Sequence, residues 1–474
     1  MIALHRIATI AFGLLASSAM AVAATTAGGE EGVKLPPFMR VTLDNGAQLV
    51  LMPKRDTPMI AMTVLARGGS LADPAGREGT ASLLADLVQK GAGARDAAQF
   101  AEAIEGVGGM LAAGAGAESL IANASFLARD TGLMIELVSD ALLRPRLDPV
   151  EFEKARTLAI QSIAAAKDAD PYPLLGDYGD AWLFRGHPFG RPVGGSEESL
   201  AAATLDDVRR HYREQLRGDR LIIAVVGDFD PQDVTARLTA AFGSLPKADA
   251  AAPAVQAAPR VDGRRVLLVD KPGATQTYFW LGNVGASRTD PARTAQSVVN
   301  TVFGGRFTSM LNTELRIKSG LTYGARSGFD RLSQPGAFSI TSFTATDTTT
   351  QAIDLALATL DRLHADGLDD ATLQSARTYL QGQFPPTIET NGQLAGRLAE
   401  LLFHGLGSDD VDEFAARVAA VDGPAVRAVI DRSFPQSKDL AVVLIGDAER
   451  VRDAARKLGP VTEMKITDPR FAPL

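Results

Sequence analysis

The chain repeats itself, and the repeat limits what it can fold into. Residues 221–246, LIIAVVGDFDPQDVTARLTAAFGSLP, and 440–461, LAVVLIGDAERVRDAARKLGPV, each run from an apolar strand through Gly-Asp into an amphipathic helix. Upstream, MTVLARGGSLADP (62–74) corresponds to YFWLGNVGASRTDP (278–291), an apolar strand, a Gly/Ser turn and Asp-Pro before a helix. The offset is 219 residues between Gly227 and Gly446 and 217 between Ser70 and Ser287. Agreement at opposite ends of the unit implies a duplication of about 218 residues. A length of 474 would otherwise suggest about three domains. The repeat makes it two, residues 30–246 and 265–474, joined by the Ala/Pro-rich linker 247–264, KADAAAPAVQAAPRVDGR, which has neither helical nor strand periodicity.

Within the first copy, RVTLDNGAQLVLMP (40–53) places Asn45-Gly46 between two alternating apolar strands, a tight-hairpin signature. GTASLLADLVQKG (79–91) reads as a helix with Leu83, Leu84, Leu87 and Val88 on one stripe and Gly91 as its stop. Residues 109–127 contain two strands, Asp130 opens a helix to Leu143, and Asp148-Pro149 opens another to about Lys167. Strands and helices mixed without regular β-α-β crossovers predict an α+β fold. Each domain is then a two-layer α/β sandwich with a mainly antiparallel sheet.

Residues 1–24 read as a cleaved signal peptide. A short polar start precedes an apolar run from Ile7 to Met20 and the small-residue pattern Ala21-Val22-Ala23. About 14 apolar residues fall short of the ~20 needed to cross a bilayer, and the remainder is expected to be exported to the periplasm. The chain has no cysteine, which excludes disulfides, thiol catalysis and cysteine-ligated metals. A net charge of −8 without a basic stripe argues against nucleic acid. Of the five histidines, at 5, 187, 211, 364 and 404, no two stand at the spacing that offers paired imidazoles on one helix face. His211 and His364 are read as hydrogen-bonded structural residues, and the His187-Pro188-Phe189-Gly190 loop as a packing element.

With these elements placed, essentially the whole sequence after residue 24 resembles the pitrilysin/insulinase family of zinc peptidases, the inverzincins, in the bacterial branch related to mitochondrial processing peptidase. Active members carry His-x-x-Glu-His on the helix after the Asp-Pro turn. The two His bind zinc and the Glu activates the metal-bound water. Laid onto 79–91, those positions are Ser82, Ala85 and Asp86. The further ligating Glu falls near Gln161 and Ser162, in a stretch with no carboxylate between Arg156 and Asp168. The resemblance therefore implies a degenerate site with no zinc bound by this chain.

The second copy keeps a different part of the family pattern. VFGGRFTSMLNTELRIKSGLTYGARSG (302–328) resembles the segment in which a Gly-rich turn leads into a helix ending Leu-Arg-x-x-x-Gly-Leu, then a strand opening with Tyr. That implies Arg316 in the last helical turn, Gly320 as the stop and Tyr323 at the strand entry. In active relatives this pair reaches the substrate carbonyl and the developing oxyanion. A permanent guanidinium charge and a phenolic donor suit that task. GVGGMLAAGAG (106–116) lacks the Lys and Ser/Thr of a phosphate cradle, and the resemblance suggests a substrate contact at Gly108 and Gly109. The expected function is the zinc-free subunit of an exported heterodimeric metallopeptidase. Zinc would sit in a homologous partner, and a peptide or unfolded polypeptide would lie between the two. The competing expectations are a structural assembly subunit and a stand-alone peptide-binding protein of the same fold.

Overall fold

The computed structural model describes residues 32–473, so the expected signal peptide, residues 1–24, lies outside the described residues. Two six-stranded sheets form the frame. The first is ordered β1 (Met39–Thr42), β2 (Gln48–Pro53), β6 (Leu221–Gly227), β3 (Met59–Arg67), β5 (Ser119–Leu127), β4 (Met110–Ala115). The second runs β12 (Val461–Lys465), β7 (Arg265–Asp270), β11 (Ala441–Gly446), β8 (Gln276–Val284), β10 (Pro335–Ala345), β9 (Ala325–Arg331). In the first sheet only β2 and β6 pair in parallel; in the second β7 pairs in parallel with both β11 and β12. All other pairings are antiparallel, as the α+β expectation requires.

The duplication is visible strand for strand except at one edge. There β1 arrives through the Asn45-Gly46 hairpin, with Gly46 at φ 90°, whereas β12 arrives from the far end of the chain. The opposite edges, β4 and β9, each pair with one neighbour only.

One face of each sheet packs on helices of its own half. In the first, Leu49, Leu51, Ile223 and Val225 meet Phe100 of α2 (Ala97–Glu105 after α1, Thr80–Leu87) and Met134, Leu137 and Val138 of α3 (Thr131–Leu143). The alternate residues Val50, Met52, Ile222, Ala224 and Val226 point the other way, as strand geometry demands. They are covered by Leu394, Leu398, Leu401 and Leu402 of helix Asn391–Phe403, which belongs to the second half. The second sheet is treated reciprocally. Leu267, Trp280, Val443 and Ile445 are covered by Leu175, Tyr178 and Trp182 of α5 (Leu175–Leu183, after α4, Pro149–Asp168), which belongs to the first half. Both helices occupy equivalent places in the repeat, so the halves exchange one helix each. The two-layer sandwich describes each half's own elements, and the exchanged helix supplies a further layer.

The segment read as a linker is fastened down. Arg220 donates to the carbonyls of Ala250 (3.0 Å) and Ala251 (3.2 Å), Val261 N donates to Asn283 Oδ1 (2.8 Å), and His187 Nε2 lies 2.8 Å from Gln256 O. Because His187 Nδ1 accepts from Phe189 N at 3.1 Å, the proton sits on Nε2. That loop is a packing element, with Phe189 buried.

Candidate functional site

Helix α1 carries the positions where the family places its zinc motif. Asp73 fixes its start, accepting from Gly79 N and Ala81 N, both at 2.9 Å. The helix ends at Leu87, not Gly91, and Gly91 instead takes φ 98° in the turn beyond. Ser82 Oγ donates to Val193 O at 2.9 Å. Ala85 is buried and borders an apolar cavity of about 20 Å³ with Val64, Leu84, Ala113 and Tyr212. Asp86 is exposed, its carboxyl pushed up by the protein around it and pulled down by Lys90. Gln161 and Ser162 lie exposed on α4. One carboxylate, an occupied hydroxyl and a methyl group facing an apolar void do not fit zinc, which needs at least three donors. Among the described residues no group of three or more His, Asp or Glu stands together to hold a metal ion. Apolar contact joins the helices instead: Leu83, Leu84 and Leu87 share a cluster with Phe152 of α4.

Behind α1 lies a residue whose environment differs from expectation. His211, read as a hydrogen-bonded structural histidine, is buried, yet neither ring nitrogen has a hydrogen-bond partner among the described residues. Asp73 Oδ1 lies 3.4 Å from its Nδ1. Burial lowers His211 to about 4 and raises Asp73 to about 7, against the backbone donors at Ala81 and Gly79, so the imidazole is neutral at physiological pH. His364 does match the reading, with Nε2 3.0 Å from Pro435 O and Nδ1 3.1 Å from Gln436 Nε2.

Gly108 and Gly109 have structural work. Gly108 takes φ 67°, and its N donates to Glu105 O at 2.9 Å, while Gly109 N donates to Ile104 O at 2.9 Å. These two bonds close α2 in a Schellman arrangement. A Cβ at Gly109 would stand 2.5 Å from the Phe126 ring. The pair leads directly into the open edge strand β4, whose first residue, Met110, is 65% exposed.

In the second half the helix expected after the Gly-rich turn forms, but π turns widen both it and the helix before it. Helix Arg293–Asn300 widens into a π turn over Thr301–Gly305, and Met310–Asn312 continues as a second π turn over Thr313–Lys318. Such turns are rare and cluster at functional sites. Gly320, at φ 63°, ends the segment as expected, with Gly320 N donating to Arg316 O and Leu321 N to Leu315 O. Tyr323 stands two residues before β9 and is 79% exposed. Its turn is rigid: Thr322 Oγ1 bonds both the N and the O of Gly324, and the buried Ser342 Oγ of β10 donates to Thr322 Oγ1 (3.1 Å) and Gly324 O (2.9 Å).

Arg316 lies half-buried and makes no ion pair or side-chain hydrogen bond among the described residues. Its guanidinium carbon lies 4.8 Å from the Phe307 ring centroid. The neighbouring carboxylate is taken. Glu314 binds Lys318 (3.0 Å) and Arg362 (2.9 Å), and these bonds overcome its partial burial to hold it below the usual range. Phe307, missed in the sequence, left one trace there: an aromatic directly after Gly304-Gly305-Arg306.

The comparisons agree with this architecture. The model of insulinase (peptidase family M16) matches residues 49–197, and that of the peptidase M16 inactive domain matches 202–380. An uncharacterised zinc protease of Streptomyces coelicolor is 30% identical over 90% of this chain and 94% of its own. One from Mycobacterium leprae is 30% identical over 76% and 81%. Among solved structures, a peptidase M16 inactive domain from Pseudomonas fluorescens superposes with a TM-score of 0.81 at 22% identity, covering 86% of this chain and 98% of that one. A protease from Helicobacter pylori gives 0.79 at 21%, covering 87% and 100%. With two family models spanning most of the described residues, the chain belongs to peptidase family M16, the insulinase family.

Proposed function

We propose that this chain is the zinc-free subunit of an exported, periplasmic heterodimeric metallopeptidase, supplying Arg316 and Tyr323 to a substrate held at a homologous partner's zinc. The observation that carries this reading is the state of the pair. One side chain is 79% exposed on a turn pinned from below, and the other is a guanidinium with no carboxylate within 4.0 Å among the described residues. Polar groups kept from local partners are suited to a ligand. The unfit zinc positions Ser82, Ala85 and Asp86 support placing the metal in the partner.

In this reading Arg316 donates to the carbonyl being cleaved, and the Tyr323 hydroxyl donates to the oxygen as it gains negative charge. The substrate is a peptide or unfolded polypeptide laid along an open sheet edge, which suits β4 and β9 and the approach past Gly108 and Gly109. The test is reconstitution with the zinc-bearing homologue. The chain alone should cleave nothing, and the mixture should show chelator-sensitive cleavage. Tyr323→Phe or Arg316→Ala should each lower turnover about 10²-fold without dissociating the complex. Full turnover in both variants would refute the role, and zinc-dependent cleavage by the isolated chain would refute the division of labour.

A further inference from the structure

Phe307 is 57% exposed and belongs to none of the buried apolar clusters of the fold. At a loop tip with more than half of its surface in solvent, the residue adds little to the core. It touches Arg316, whose guanidinium carbon stands 4.8 Å from the ring centroid, inside the range of a cation–π contact. Arg316 has no other side-chain partner among the described residues.

The loop that presents this ring is held from three sides. Gly304 lies so close to β9 that an added Cβ would stand 2.3 Å from Ser327 Oγ. Asn300 bonds Ser327 through both its amide atoms, at 3.0 and 2.7 Å. Arg306 donates to Ser375 Oγ at 2.9 Å and lies 6.0 Å from the Tyr379 ring, tying the loop to helix Asp370–Gln383. The backbone on either side of Phe307 is therefore held, and its ring has two side-chain torsions, whereas arginine is a long, rotamer-rich side chain.

We infer that Phe307 is a positioning residue for Arg316, its ring holding the guanidinium in the orientation that meets the substrate carbonyl. This inference rests on the proposed role of Arg316. Two local facts make the arrangement effective. Glu314, two residues from Arg316 and so not facing it along the helix, is already engaged by Lys318 and Arg362 and offers no competing carboxylate. A ring face also directs a planar guanidinium without neutralising it, so all of its N–H donors stay available.

The test uses the reconstituted complex with fluorescent casein, an unfolded polypeptide, as probe. Phe307→Ala and Phe307→Leu should lower kcat about 3- to 30-fold with KM changed less than about twofold, and Phe307→Tyr should restore kcat. In an Arg316→Ala background, Phe307→Ala should add no further loss. In the chain alone, the Arg316 side-chain N–H resonance, identified by its disappearance in Arg316→Lys, should be displaced by the ring current. It should return to the ordinary arginine position in Phe307→Leu but not in Phe307→Tyr. Loss of turnover in Arg316→Ala with unchanged or purely additive Phe307 variants would overturn this inference and leave the proposed function standing. Full turnover in Arg316→Ala would overturn both. An undisplaced resonance in the unmodified chain would overturn the stacking itself.

Discussion

Gly176 and Gly179 lie three residues apart on α5, and alanine at the two positions should change stability in opposite directions. At Gly176 an added Cβ meets nothing within 4 Å, so Gly176→Ala gains helix propensity, up to about 1 kcal/mol. At Gly179 the same methyl would stand 2.5 Å from Cε2, 2.6 Å from Cδ2 and 2.7 Å from Nε1 of Trp280. That indole is 2% exposed in the second sheet and packed among Tyr178 and Trp182, so it cannot swing aside freely. Overpacking of this kind costs about 1–3 kcal/mol. Set against the propensity gain, Gly179→Ala should destabilise by up to about 2 kcal/mol, which for a unit of this size lowers the midpoint by up to about 8 °C.

The assay is built into the chain. Its two tryptophans, Trp182 and Trp280, both lie where the exchanged α5 meets the second sheet, so their emission reports separation of the halves. Trp280→Phe should make room for the methyl, so that adding Gly179→Ala in that background costs nothing while Trp182 remains as reporter. The coupling in such a cycle should be about 1 kcal/mol or more, across two residues from different halves. If Gly179→Ala raises the midpoint as Gly176→Ala does, or if its cost is the same with Phe at 280, the helix exchange is wrong.

The mirror-image contact should behave likewise. Leu398→Ala, in the helix that covers the first sheet, removes a fully buried side chain and should cost about 2–5 kcal/mol by thermal denaturation, with the loss seen in the first half. Gly109→Ala should destabilise by about 1–3 kcal/mol through its clash with Phe126, and Phe126→Leu should relieve that clash in a double mutant. Asp177, Asp180 and Asp330 converge on a pocket of about 60 Å³ between the halves, with Arg191 also on its lining. Desolvation raises Asp177 to about 6, and burial first, then the nearby Asp330 and Asp177, raise Asp180 well above its ordinary value. Because the folded chain holds these protons more tightly than the unfolded one, stability should fall as pH rises from about 4, the share due to Asp177 being lost by about pH 6 and that due to Asp180 at higher pH. Asp177→Asn should flatten part of that slope. At pH 7.5 it should stabilise by on the order of 1 kcal/mol, allowing for the side chain's partial exposure, with no change at pH 4 by calorimetry.

How much of this was legible beforehand depends on the range of the interaction. The duplication, the hairpin at Asn45-Gly46 and the stop at Gly320 are local, and the residues declare them. The runs LIIAVVG and LAVVLIG also carried a signal that pointed further: seven consecutive buried residues on β6 and an equally buried β11 are what a strand needs when both its faces are covered. What they could not say is which helix covers the second face. Helix Asn391–Phe403, NGQLAGRLAELLF, has the leucine stripe of any surface helix, and nothing in that stripe distinguishes a neighbour's sheet from its own. The same limit applied to Arg316. Its place in a motif was readable, but its freedom from Glu314 depends on Arg362, 46 residues away, and its contact is with a ring nine residues earlier on a loop before a π turn. The helix exchange also bears on the zinc positions. With α1 joined to α4 through Leu83, Leu87 and Phe152, and the halves locked by reciprocal helices, the fold has contacts in place of any a metal would make. The first half can therefore lack zinc ligands at Ser82, Ala85 and Asp86 and still hold the second half, with Arg316 and Tyr323, in a fixed frame.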